Sequence, residues 1–207
     1  MAGFLTKNNS KMAVVPQLPP QVPALGNAFT RGIGRGLLHI LGWRLEGELP
    51  NEKKMMVALA PHTSNWDFVV AMPIIMAVGI KVSYMMKKEA FIWPLSGLFK
   101  WWGGIPLDRS ASQGVVEQTV NWYNTHEAVW MAITPEGTRR KVDQYKTGFV
   151  RIAHEAGVPI LTICWDFPSK SMIVDRIWTT TGDHEADAAA IREHINSHYR
   201  GAQPQLQ

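Results

Sequence analysis

His62 and Asp67 stand five residues apart in the stretch APHTSNWD, residues 60–67, between the apolar runs MMVALA and FVVAMPIIMAVGI. Histidine titrates near neutral pH, so its ring can take a proton from a hydroxyl when a partner on the other ring nitrogen fixes the tautomer. A carboxylate meets that need. Thr63, Ser64 and Asn65 favour a turn and the start of a helix, which folds Asp67 back towards His62. On spacing alone, a helix-capping segment with a core histidine has the same pattern.

Further clusters carry groups of the same kind. PEGTRR, residues 135–140, sets Glu136, Gly137, Thr138 and Arg139 on a loop bounded by proline and glycine. An arginine fork there can hold a phosphate through two parallel hydrogen bonds, and Glu136 can bind a substrate hydroxyl or fasten the loop. GGIPLDR, residues 103–109, ends on Arg109. An exposed ion pair between Asp108 and Arg109 is the plain alternative, but such a pair contributes less than about 1 kcal/mol. Lys87 and Lys88 close VSYMMKK. Taken singly, each cluster is also what a solvated surface turn looks like.

Several elements must bring these groups together. WRLEGEL, MMVALA, VSYMMK, AVWMAIT, PILTICW and SMIVDRIW read as strands, and GGIPL as a turn and short strand. Helices are predicted over Trp66–Val78, Glu89–Trp101, Ser112–His126, Tyr145–Ala156 and Glu185–Arg200, with Pro73 the place where the first would kink. The alternation predicts a single α/β domain with a largely parallel or mixed central sheet flanked by helices. Ligands of such sheets lie beyond the carboxyl ends of the strands. His62, Lys87, the Asp108–Arg109 pair and residues 136–140 each follow or close a predicted strand, so four strand ends converge on one candidate site.

Residues 1–24 are polar and proline-rich, and a flexible arm is expected there, ahead of a domain over 25–207. Leu25, Phe29, Ile33, Leu37 and Leu41 recur every fourth residue and form a helical stripe. Two readings stand for this helix: it lies on a membrane surface, or it packs its stripe on the domain. Gly32, Gly34 and Gly36 weaken it by about 1 kcal/mol each. Their GxGxG spacing, with no strand before it, is not a dinucleotide fingerprint.

The 207 residues are 46% hydrophobic and 18% charged, which suits one globular domain. A net charge of +4 and a pI of about 9.3 suit an anionic partner. Trp93, Trp101 and Trp102 fall beside Lys87, Lys88 and Lys100, as at an interface wet on one side; core burial is the alternative. The longest apolar run, Phe68–Ile80, falls short of the roughly 20 residues of a spanning helix. The lone Cys164 and the lack of a signal-peptide pattern suggest a reducing compartment. The basic residues lack a nucleic-acid pattern. His194 and His198, in HINSH, lack a third ligand and read as a solvated helix face, so no metal site is expected.

Taken together and in this order, HTSNWD, GGIPLDR, PEGTR and GVPILTI resemble the motifs of the glycerophospholipid (1-acylglycerol-3-phosphate, or lysophosphatidic acid) acyltransferase family, over about residues 55–165. The resemblance implies the fold of that family. It also implies transfer of a fatty acyl group from a thioester of coenzyme A or acyl carrier protein to a lysophospholipid hydroxyl, with no other cofactor. By resemblance His62 is the general base and Asp67 its orienting partner. Arg109 and Arg139 grip the acceptor phosphate, and Glu136, Gly137 and Thr138 shape its pocket. Lys87 joins the substrate-binding set at its strand end. Amides at the start of the Asp67 helix are expected as oxyanion donors. Peripheral contact with the cytoplasmic face of the membrane is expected, and no nucleic acid. Three positions depart from the family: Pro61 replaces its usual asparagine, Pro106 a bulky apolar residue and Thr162 a second proline. A thioesterase or lipid hydrolase and a non-catalytic lipid-binding protein stay open, although no GxSxG elbow is present.

Overall fold

Strands with apolar side chains on both faces need cover on both, and here two helix layers supply it. The computed structural model describes residues 15–88, 91–92, 96–107 and 114–207. Strands β1 (Arg44–Glu46), β2 (Lys54–Ala60), β3 (Val82–Lys87), β4 (Gly104–Leu107), β5 (Val129–Ile133), β6 (Ile160–Asp166) and β7 (Ser171–Trp178) form one sheet, in the order β1-β7-β6-β2-β5-β3-β4. The pairings are parallel except for the β6–β7 hairpin. The helices are α1 (Ala28–Leu41), α2 (Trp66–Val78), α3 (Ser96–Trp101), α4 (Val115–Thr125), α5 (Gly148–Ala156) and α6 (His184–His198). In β2, Met55 and Val57 pack with α1 and α2, while Met56, Ala58 and Ala60 pack with α4, α5 and α6. The α/β domain with a mostly parallel sheet expected from the alternation is the observed fold.

Differences from the predicted elements have local causes. WRLEGEL contributes only three residues of strand. It ends at Gly47, whose φ of 90° and close approach to the Val174 carbonyl leave no room for a Cβ. The helix expected over Glu89–Trp101 is described only from Ser96. Residues 145–147 lead into α5, which starts at Gly148, and Tyr145 is buried. α2 matches its predicted bounds and runs through Pro73.

α1 opens on a reciprocal cap that spacing did not reveal. Asn27 Oδ1 accepts from the amides of Phe29 (3.0 Å) and Thr30 (3.1 Å), and Thr30 Oγ1 accepts from the Asn27 amide (2.9 Å). The helix buries Gly34 and Leu38 rather than its expected stripe. Phe29 is 75% exposed, and Ile33, Leu37 and Ile40 are exposed as well. The reason is close approach: a Cβ at Gly34 would stand 2.4 Å from the Ala77 amide nitrogen and 2.7 Å from the Pro73 carbonyl oxygen. Backbone packs on backbone, and Phe29, Ile33 and Leu37 of the stripe are left outside while Leu41 packs against the core.

Of the expected arm, residues 15–24 are described and lie against the domain. The Leu25 amide donates to Gly79 O (2.8 Å), the Lys81 amide donates to Pro23 O (2.8 Å), and Val22 is buried. Val15 and Leu18 also pack against the α1–α2 side of the core. Among the described residues no helix is long and apolar enough to cross a membrane.

Two glycines of α1 should therefore respond with opposite signs. Gly34→Ala forces α1 from α2 and should lower the unfolding free energy by about 1–3 kcal/mol. Gly36→Ala meets nothing within 4 Å and should raise it by about 0.5–1 kcal/mol. Urea denaturation of both variants checks the pair.

Candidate active site

The site is wound around one carboxylate oxygen. β2 ends at Ala60, the Ala60–Pro61 peptide is cis, and the chain turns through 61–65 into α2. Asp67, in the first turn of α2, is fully buried. Its Oδ2 lies 2.8 Å from His62 Nδ1 and accepts from the amides of Thr63 (3.0 Å) and Ser64 (3.0 Å). The turn favoured by Thr63, Ser64 and Asn65 thus closes on the aspartate, and one contact sets both the loop and the histidine ring. With Nδ1 engaged, Nε2 is left for a hydroxyl, and among the described residues it has no hydrogen-bond partner. Thr63 and Ser64 spend their amides on Asp67, and Trp66 spends its own on Ser64 Oγ (3.2 Å). Those three amides of the expected oxyanion set are therefore engaged elsewhere.

The 135–140 loop reaches the same place from β5, the parallel neighbour of β2. Glu136 is buried, and its Oε1 accepts from the His62 amide (2.9 Å). It touches the histidine backbone, which is the loop-fastening alternative of its two expected roles. Burial pushes the Glu136 carboxyl above its ordinary value of 4.5, against the opposing hydrogen bond from the His62 amide; the Asp67 charge adds to the rise. Gly137 turns with φ 64°, under the stem of Lys146. Thr138 Oγ1 accepts from the Arg140 amide (3.3 Å). Arg139 is exposed and its Nη1 donates to Asn65 Oδ1, so the guanidinium stands beside the residue that caps α2. Lys87 closes β3 in register with Leu107, so its backbone is on the same sheet edge. Its side chain and the whole of Arg109 lie outside the described residues.

His62 also lines a cavity of about 520 Å³. The walls are apolar: Leu59, Phe68, Met72, Ile75, Tyr84 and Trp165 are among them. Leu25, Gly26 and Thr30 line it too, on the segment fastened to the amino end of β3, as does the partly exposed Trp102. The arrangement brings together His62 Nε2, the exposed Arg139 and an apolar cavity.

Several contributors were not read from the sequence. Trp165 places its ring 6.0 Å from that of His62. Its place at the end of PILTICW is a signal, because β6 runs parallel to β2. Gln203 donates its amide to Thr63 Oγ1 (3.1 Å), a contact across 140 positions that no local pattern announces. The expected solvated face of α6 needs correction at His194: its side chain is 11% exposed, and Nε2 lies 2.9 Å from Asp175 Oδ2. His198 is exposed, and no group of three potential metal ligands occurs among the described residues. Burial pushes the Cys164 thiol well above its ordinary range, away from thiolate chemistry.

Comparison with known proteins gives an independent measure of kinship. A family model described as Acyltransferase matches residues 43–166, which include the His62 loop and the 135–140 loop. The 1-acyl-sn-glycerol-3-phosphate acyltransferases of Escherichia coli (strain K12) and Salmonella typhimurium are each 28% identical to this chain over 174 residues. Each alignment spans 78% of this chain and 66% of the relative, just under two thirds of the relative's length. The crystal structure of the 1-acyl-sn-glycerophosphate (LPA) acyltransferase PlsC from Thermotoga maritima shares the fold, with a TM-score of 0.58 at 18% identity, covering 81% of this chain and 75% of that one.

The buried Glu136 makes stability depend on pH. Its folded value is raised above 4.5, so between the two values the native state holds a proton that the unfolded chain has released. That contribution is full below the unfolded value and is lost as pH rises through the folded one. Glu136→Gln keeps an oxygen for the His62 amide and cannot titrate. Calorimetry from about pH 4 to 8 should show the melting temperature of the wild type falling relative to the variant as pH rises; a constant difference contradicts the assignment.

Proposed function

The chain belongs to the acyltransferase family, and from that premise we propose that it moves a fatty acyl group from an acyl thioester to the hydroxyl of a lysophospholipid of the 1-acylglycerol-3-phosphate class. The names of the aligned relatives support the acceptor class. The observation that carries the reading is the 2.8 Å pairing of His62 Nδ1 with the buried Asp67, on a ring that lines an apolar cavity.

In this reading His62 Nε2 takes the proton of the acceptor hydroxyl as its oxygen attacks the thioester carbonyl. The tetrahedral intermediate collapses, the C–S bond breaks, and the imidazolium returns the proton to the leaving thiolate. The acyl carbon passes directly from sulfur to oxygen, with no covalent enzyme intermediate. Arg139 binds the acceptor phosphate, and Arg109 and Lys87 are proposed beside it on the strength of motif and strand end. Gly137 and Thr138 set the turn that presents Arg139. Glu136 holds the histidine backbone. Coenzyme A and acyl carrier protein are the two donor carriers to compare.

The exposed apolar face of α1 gives this reading a place to work. Phe29, Ile33, Leu37 and Ile40, with Trp66 and Phe68 at the start of α2, leave large apolar side chains in solvent. Phe68 is 62% exposed and also lines the cavity, so the apolar surface continues into the pocket. A lipid surface covers such a face and delivers the acceptor to it. We propose peripheral contact through α1 and the first turn of α2.

His62→Ala should cut thiol release from an acyl thioester in the presence of lysophosphatidic acid by about 10²–10⁴-fold while the fold is kept. Arg139→Ala should raise KM for that acceptor far more than for the donor. Equal thiol release with and without acceptor by the wild type would favour hydrolysis over transfer. Separately, Phe29→Asp with Ile40→Asp should weaken cosedimentation with phospholipid vesicles and leave turnover of a detergent-dispersed acceptor close to wild type.

A further inference from the structure

The loop that carries His62 has a second support, and it comes from the segment after α6. Tyr199 OH donates to Asp175 Oδ1 (2.8 Å), and the other oxygen of that carboxylate accepts from Thr162 Oγ1 (2.8 Å) and lies 2.9 Å from His194 Nε2. The Arg200 carbonyl accepts from the Phe167 amide (2.9 Å), and the Arg200 amide donates to Asp166 Oδ1 (3.2 Å). Gln207 closes the segment on itself: Nε2 donates to Tyr199 O (2.8 Å) and Asn196 Oδ1 (3.0 Å), and Oε1 accepts from the Gly201 amide (3.1 Å).

So anchored, residues 201–203 press on Thr63. Gly201 is buried, and a Cβ there would stand 2.6 Å from Thr63 Oγ1, 3.0 Å from its Cγ2 and 3.3 Å from Pro61 Cγ. The Gln203 amide donates to the same Thr63 Oγ1 (3.1 Å). Thr63 is 4% exposed, follows His62 directly, and donates its own amide to the Asp67 oxygen that holds the ring. Its side chain is gripped from two sides, and a β-branched residue has little rotamer freedom with which to yield.

We infer that Gly201 and the Gln203 amide are positioning groups for the reaction: by fixing Thr63 they fix the His62–Asp67 pair, without touching substrate. This rests on His62 as the base of the proposed reaction. Geometry explains the sensitivity, since a displacement of about 1 Å far from the chemistry can cost 10²-fold in rate. It also explains a glycine at 201, where the backbone approaches too closely for any side chain.

The test compares the wild type with Gly201→Ala, Thr63→Ala and the double variant, using palmitoyl-coenzyme A and 1-oleoyl-lysophosphatidic acid. Gly201→Ala should lower kcat by at least about tenfold with the acceptor KM little changed. The double variant should recover to the level of Thr63→Ala, because the atoms struck by the new Cβ at Thr63 are gone. Ile191→Val, in the core face of α6, should lower the melting temperature and leave kcat unchanged. A wild-type kcat in Gly201→Ala, or a double variant whose loss is the product of the two single losses, overturns the proposal. The proton NMR signal of the His62 Nδ1–H is a readout that needs no substrate. It should shift or vanish in Gly201→Ala and return in the double variant, and an unmoved signal overturns the proposal. If the wild type fails to turn over these lipids, the reading of the reaction falls and the NMR result alone decides the positioning role.

Discussion

Three donors converge on Asp67 Oδ2: the ring of His62 and the amides of Thr63 and Ser64. The carboxylate is completely buried, and a buried charge left without partners costs several kcal/mol. The loop between β2 and α2 therefore has one good solution, the one that wraps that oxygen. The same solution fixes the tautomer-setting contact of the histidine. Aspartate in the first turn also suits the positive end of the helix dipole, so helix start, loop shape and ring orientation favour a single arrangement.

The sheet supplies what surrounds this loop. β2 lies between β5 and β6, both parallel to it, so the segments after the three strands end on one edge. β2 contributes His62, β5 leads to Glu136, and β6 ends beside Trp165. α2 then serves twice. Its first turn carries Asp67, and further along Ala71, Met72 and Ile75 line the cavity. Polar chemistry and apolar volume are held by one rigid helix, whose position is set in turn by the glycine contact with α1.

Much of this was legible in the sequence because it is local. The Trp66–Val78 helix, the seven strand-like runs and the His62–Asp67 spacing depend on neighbours within a few residues, and each was readable. Which face of α1 turns inward was not, since the stripe of Phe29, Ile33 and Leu37 gave the stronger periodic signal while the deciding contact is Gly34 against the backbone of Pro73 and Ala77. Glu136 was legible as an acid in a loop, but its attachment to the His62 amide depends on β5 lying beside β2. Thr63 with Gln203, and His194 with Asp175, join positions far apart in the chain and leave no periodic trace. Arg109 was legible from its motif and its strand end, and it lies outside the described residues.

Two buried carboxyl groups flank one histidine, and their placement bears on how its ring behaves. Asp67 holds Nδ1 and Glu136 holds the backbone amide, yet each keeps one oxygen without a hydrogen-bond partner among the described residues. In the proposed reaction a proton arriving at Nε2 turns the ring into a cation. The Asp67 carboxylate, 2.8 Å from Nδ1, faces that charge in surroundings that screen weakly. In the proposed reaction the ring meets that carboxylate without reorganisation, because its loop is already fixed.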